Sequence, residues 1–127
     1  MDIPVMQDIL GRNDEIAGKN KSLFDKHGIL VINLLGSPGS GKTTLLERTI
    51  AHLKDDLRLA VIEGDLFTDK DADRIAQHNV PVIQINTNGG CHLDAPMVEE
   101  VLGDLDLDKL DVVIISFVQQ NLSLVKI

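Results

Sequence analysis

Ile29-Leu30-Val31-Ile32-Asn33-Leu34-Leu35 runs without a break into Gly36-Ser37-Pro38-Gly39-Ser40-Gly41-Lys42-Thr43, and this stretch decides how the rest of the chain is read. Its first half is short, apolar and β-branched, the composition of a strand buried on both faces. The second half is a complete G-x-x-x-x-G-K-T, set between that strand and a helix predicted from Lys42 to Leu53. Glycines let successive backbone N–H groups turn inward around phosphates, and the following helix directs its positive end at the same anion. In this arrangement Lys42 reaches the β- and γ-phosphates and Thr43 offers its hydroxyl to Mg²⁺, while Thr44 caps the helix or contacts the α-phosphate region. A chance glycine-rich turn in an α/β domain is the competing reading, and the register of strand, loop and helix weighs against it.

Outward from the cradle, apolar runs recur at 59–62, 80–85 and 112–115, separated by helical patterns at 42–53, 69–78 and 95–102. This β-α alternation predicts an α/β fold, a parallel β-sheet flanked by helices with ligands at the carboxyl ends of the strands. Upstream, Ile9, Ile16 and Leu23 recur at intervals of seven beside Leu10, Ala17 and Phe24, a helical stripe that Gly28 ends. The stripe either packs on the domain's own sheet or faces a partner. Asp104-Leu105-Asp106-Leu107-Asp108 reads as a solvated acidic turn, without the glycine turn of a calcium loop. His27, His52 and His78 carry no ligand spacing and read as structural. There is no internal repeat, low-complexity tract or domain linker.

A length of 127 residues suits one domain. Twelve Lys+Arg against twenty Asp+Glu, a net charge of −8, argues against a nucleic-acid partner, which demands a basic face. Any bound anion must therefore be held by a local device, which the cradle is. Aromatic residues are 2%, with no Trp or Tyr, so the core is aliphatic and offers no stacking platform for bases. One cysteine, Cys91, excludes an internal disulfide and fits a reducing compartment. Met1-Asp2-Ile3-Pro4 lacks the flanks of a signal peptide, and no uncharged stretch reaches the roughly 20 residues that span a bilayer. The expectation is a soluble, cytoplasmic protein without membrane contact. The cradle reads phosphates and not the base. Asn20-Lys21-Ser22-Leu23 lacks the final Asp of a guanine-reading motif and precedes the cradle, and Asp8-Ile9-Leu10-Gly11 lies on the N-terminal helix, so neither distinguishes GTP from ATP.

Val61-Ile62-Glu63-Gly64-Asp65-Leu66 closes the second strand, and Thr68-Asp69-Lys70-Asp71-Ala72-Asp73-Arg74-Ile75 follows it. Val82-Ile83-Gln84-Ile85-Asn86-Thr87 then leads into Gly89-Gly90-Cys91-His92-Leu93-Asp94-Ala95. With the cradle and an N-terminal helix ending Phe24-Asp25-Lys26-His27-Gly28, these motifs closely resemble the HypB family of hydrogenase nickel-incorporation GTPases, up to about Ile115. Urease accessory GTPases share the cradle and a metal-binding Cys-x-His. Here Cys91 and His92 are adjacent, as in HypB.

The resemblance implies a SIMIBI-class P-loop G domain that forms a nucleotide-dependent homodimer and delivers nickel to the large subunit of [NiFe] hydrogenase, assisted by a HypA-type protein. It implies an N-terminal helix over 1–28, a G-domain core over 29–115 and a divergent tail over 116–127. Gly36, Ser37, Pro38, Gly39, Ser40, Gly41, Lys42, Thr43 and Thr44 would hold GTP, with Thr43 on Mg²⁺. Lys42 and Asp65 would be catalytic, Asp65 lying near Mg²⁺ or the attacking water. A carboxylate there also makes independent sense, since carboxylates hold Mg²⁺ and orient water in phosphoryl transfer; the alternative is an acid that satisfies a helix dipole. Cys91 and His92 would bind Ni²⁺ or Zn²⁺, metals that accept thiolate and imidazole, and pairing two subunits would double this ligand count toward about four.

The chain departs from the family after the fourth strand. Where HypB proteins continue Ile-Glu-Asn-Val-Gly-Asn-Leu-Val-Cys-Pro, this sequence reads Ile115-Ser116-Phe117-Val118-Gln119-Gln120-Asn121-Leu122-Ser123-Leu124-Val125-Lys126-Ile127. Ser116 replaces an acid, Gln119 a glycine, and the second metal cysteine is missing. The expectation is a truncated or frame-disrupted copy with weakened nucleotide binding and impaired turnover, and with its last strand left as an unpaired edge. Three other readings stand beside the nickel-delivery GTPase: a non-catalytic Ni/Zn-binding module that keeps the cradle as a relic, a urease accessory-type GTPase, and a generic P-loop ATPase or kinase.

Overall fold

The computed structural model of the protein describes residues 3–36, 41–64, 69–85 and 93–117. In chain order these form α1 (Ile3–Lys26), β1 (Leu30–Leu35), α2 (Lys42–Leu53), β2 (Leu59–Glu63), α3 (Asp69–Ala76), β3 (Val82–Gln84), α4 (Ala95–Leu102), a 3-10 turn (Leu107–Lys109) and β4 (Val112–Phe117). The strands make one parallel sheet in the order β1-β4-β2-β3. The α/β parallel sheet flanked by helices that the sequence predicts is therefore observed.

The period-two alternation of the strands sorts their side chains into two aliphatic layers. Leu59 and Val61 of β2 and Val112 and Ile114 of β4 face Leu46 and Ile50 of α2 and Ile75 of α3. Ala60, Ile62, Val113, Ile115 and Phe117 face the opposite layer, with Phe24 of α1 and Val98 and Leu102 of α4. Both central strands are buried along their whole length, as a sheet covered on two faces requires.

Two expectations are corrected. The last strand is not an edge: β4 threads between β1 and β2, pairing Leu30↔Val112 on one side and Leu59↔Val112 on the other. The edges are β1 and β3, because the connections skip over a place that β4 fills last. For the same reason β1 is not buried on both faces, and as an edge strand it leaves Leu30 61% and Leu35 53% exposed. β4 also continues through Ser116 and Phe117, both buried.

The described part of the α1 stripe packs on the protein's own core, with Phe24 buried and Leu23 against the same cluster. The acidic turn is exposed at Asp104, Asp106 and Asp108, and Asp108 meets His27 Nδ1 at 2.8 Å, tying the end of α1 to the 3-10 turn. At the amino end of the sheet, Arg58 donates its backbone N–H (2.8 Å), Nε (3.1 Å) and Nη2 (3.1 Å) to the Asp111 carboxylate, joining the entries to β2 and β4. These bonds hold the Asp111 carboxyl below its ordinary range.

Candidate functional site

Of the candidate site residues, Gly36, Gly41, Lys42, Thr43 and Thr44 are described, and they lie between the carboxyl end of β1 and the first turn of α2. Gly36 follows β1 directly and is half-buried. Gly41 takes φ 84°, ψ 15°, a left-handed conformation open to glycine without strain, and it is the N-cap of α2. Among the described residues no side-chain cap of α2 is seen, and the Leu45 N–H donates to the Gly41 carbonyl at 3.0 Å. Lys42 and Thr43 are half-buried in the first turn and Thr44 is exposed. Thr44 is not the cap, because the left-handed Gly41 already starts the helix. Burial lowers the Lys42 pKa below its ordinary 10.5, and the Glu63 charge opposes that shift.

Glu63 is the residue that sequence reasoning passed over. It ends β2 fully buried, in register with Ser116 of β4 and Gln84 of β3. A signal for it was present, an acid closing the otherwise apolar run Leu59-Ala60-Val61-Ile62. By alternation, Glu63 and Ser116 share the sheet face that α2 covers, in line with Val61 and Ile114. Ser116 Oγ is buried and has no hydrogen-bond partner among the described residues. The Ser116 carbonyl accepts from the Gly64 N–H at 2.7 Å, and the Glu63 carbonyl accepts from the Ile85 N–H at 2.8 Å and from Gln84 Nε2 at 3.3 Å. Hydroxyl and carboxylate oxygens at Thr43, Glu63 and Ser116 are the donor type that Mg²⁺ takes, so the residues present fit that ion.

The start of α4 is fixed from three directions. Leu93 is buried, and the Asp94 side chain accepts from the Met97 N–H at 3.1 Å as the N-cap. From α1, Asn13 Oδ1 accepts from the Ala95 N–H at 3.0 Å and Asn20 Nδ2 donates to the Ala95 carbonyl at 3.1 Å. The Cys91-His92 pair immediately precedes this anchored segment in sequence. Seven of the predicted site residues, Ser37, Pro38, Gly39, Ser40, Asp65, Cys91 and His92, lie outside the described residues. Among the described residues no group of three or more His, Cys, Asp or Glu could hold a metal ion, and no helix is long and apolar enough to cross a membrane.

A family model, that of the CobW/HypB/UreG nucleotide-binding domain, matches residues 30–118. The hydrogenase maturation factor HypB of Azotobacter vinelandii is 55% identical over 102 residues, which are 80% of this chain and 34% of that protein. The crystal structure of HypB from Archaeoglobus fulgidus matches with a TM-score of 0.80 at 30% identity, covering 91% of this chain and 55% of that one. HypB from Helicobacter pylori in complex with nickel matches with a TM-score of 0.70 at 42% identity, covering 84% of this chain and 51% of that one. The chain thus spans about a third of the Azotobacter relative's length and about half of each solved chain.

Proposed function

The chain belongs to the CobW/HypB/UreG nucleotide-binding domain family, and from that membership we propose that it binds GTP with Mg²⁺ at the Gly36–Thr44 cradle and couples nucleotide state to nickel held at Cys91 and His92. The observation that carries this reading is the start of α2, where left-handed Gly41 sets Lys42 and Thr43 in the first turn of the helix that follows β1. The name of the Helicobacter pylori neighbour, a HypB in complex with nickel, supports the choice of cargo.

In this proposal the backbone N–H groups from Gly36 to Lys42 surround the phosphates, and the Lys42 ammonium donates to the β- and γ-phosphate oxygens. Thr43 directs its hydroxyl to the metal, and Asp65 orients the attacking water. Mg²⁺, when bound, neutralises charge on the phosphates. Hydrolysis resets the switch, and the uncharged Ser116 makes that step slow. Nucleotide-bound copies pair, so that two Cys91 and two His92 supply the four ligands that a nickel or zinc ion takes. The cargo then passes, with a HypA-type accessory protein, to the large subunit of a hydrogenase in the cytoplasm. GTP is preferred to ATP in this proposal on family likeness alone.

Nickel titration of the wild type and of Cys91→Ala, each with and without GTP and Mg²⁺, tests the coupling. The expected result is a shift of about tenfold in wild-type nickel affinity on adding nucleotide, within the ordinary range of coupling between two sites, and loss of that binding in the variant. Nickel affinity indifferent to nucleotide would leave a non-catalytic metal-binding module instead.

A further inference from the structure

Glu63 and Ser116 sit side by side at the carboxyl ends of the two central strands, paired in register. Their side chains share the sheet face covered by α2, whose Leu46 and Ile50 pack on Val61 and Ile114 two residues earlier in the same strands. Both are shut off from solvent, Glu63 at 0% and Ser116 at 1% exposure. A carboxyl group that deep either gives up its charge or keeps it beside a cation. Lys42, at the start of α2, feels the Glu63 charge, so the two groups belong to one electrostatic site. The Ser116 hydroxyl adds a buried oxygen with no partner among the described residues. Ser116 itself brings no charge to the strand end, so the acid on this face is supplied one strand over.

We propose that Glu63, with Ser116 Oγ beside it, is the carboxylate that this chain turns toward the divalent cation of the bound nucleotide. The proposal rests on the cradle binding a nucleoside triphosphate, and it assigns to Glu63 a part that the G-x-x-x-x-G-K-T motif does not specify. Lys42 compensates the carboxylate in the free protein. In the loaded site the phosphates take Lys42, and the cation with its water shell takes Glu63 and Ser116 Oγ.

Calorimetric titration of GTP into the full chain, in MgCl₂ and separately in EDTA, reads this as the ratio of the two affinities. A charge-assisted interaction of this kind is worth about tenfold or more in affinity, so the wild-type ratio is expected to be at least about ten. Glu63→Gln, which keeps shape and removes charge, is expected to lower the ratio about tenfold while leaving binding in EDTA equal or tighter. Ser116→Ala, a substitution that removes no hydrogen bond seen among the described residues, is expected to lower the ratio about threefold. If Glu63 served only to compensate Lys42, Glu63→Gln would shift both affinities equally and preserve the ratio, overturning the proposal. Should Glu63→Gln fail to fold, Ser116→Ala decides alone, and an unchanged ratio overturns it. Wild-type binding indifferent to Mg²⁺ overturns this proposal and leaves the nucleotide reading standing, whereas no binding in either buffer sinks both.

Discussion

Gly64 shows how little freedom the residues around the site have. It follows Glu63 at the point where β2, β4 and the segment before α4 converge. A Cβ there would lie 3.2 Å from Phe117 Cβ and 3.5 Å from Leu93 Cδ1 and Cδ2. The Leu93 methyl groups can move a few tenths of an ångström, but Phe117 Cβ is fixed by a central strand. Gly64→Ala is therefore expected to cost about 1–3 kcal/mol of folding stability, the usual range for overpacking a filled core. Urea unfolding checks it, and a midpoint equal to wild type would mean that the strand end yields more easily than its packing indicates. Lys42 is tuned by burial on the α2 side of the sheet. Its pKa lies below 10.5 by desolvation, so folding prefers its neutral form, and this contribution to stability increases as pH rises from the lowered value toward 10.5.

At the scale of elements, the helix and strand pattern was legible because the local signals agree with the packing they end in. The runs at 59–62 and 112–115 became fully buried strands, and the G-x-x-x-x-G-K-T gave the boundary between β1 and α2. Strand order was not legible. Nothing local to Val112–Ile115 says that it fills the gap between β1 and β2, and so the exposure of Leu30 and Leu35 could not be foreseen. The clamp between α1 and α4 was missed for a related reason. Asn13 and Asn20 recur at seven, but polar residues on a mostly polar helix read as solvated, and their burial goes with hydrogen bonds to the Ala95 backbone at the start of α4. Asn20→Ala removes a second donor from the Ala95 carbonyl, which keeps its bond within α4, and is expected to destabilise the protein by about 0.5–1.5 kcal/mol, the net worth of one hydrogen bond. Hydrogen exchange at the amides of α4 is expected to quicken in this variant. Unchanged exchange would show that Leu93 and the Asp94 cap suffice to hold the helix start.

For the whole molecule, a net charge of −8 and a polyphosphate ligand are compatible only if attraction is local. The fold provides this by bringing the carboxyl ends of all its parallel strands to one side, where α2 presents its first turn and a single lysine. That the cradle motif follows the carboxyl end of β1 was readable from the sequence alone, and ligands of open α/β sheets gather beyond the carboxyl ends of strands. The burial of Glu63 was not, because the face to which it points depends on the register of β2 against β4. The proposed function depends first on the cradle holding a nucleoside triphosphate, and titration calorimetry of GTP with Mg²⁺ into the wild type and Lys42→Ala measures that directly. Saturable one-to-one binding to the wild type, weakened by about tenfold to a hundredfold in Lys42→Ala, is predicted from the loss of a charge-assisted phosphate contact. Equal affinity of the two proteins for GTP, or no heat of binding in the wild type, would contradict it.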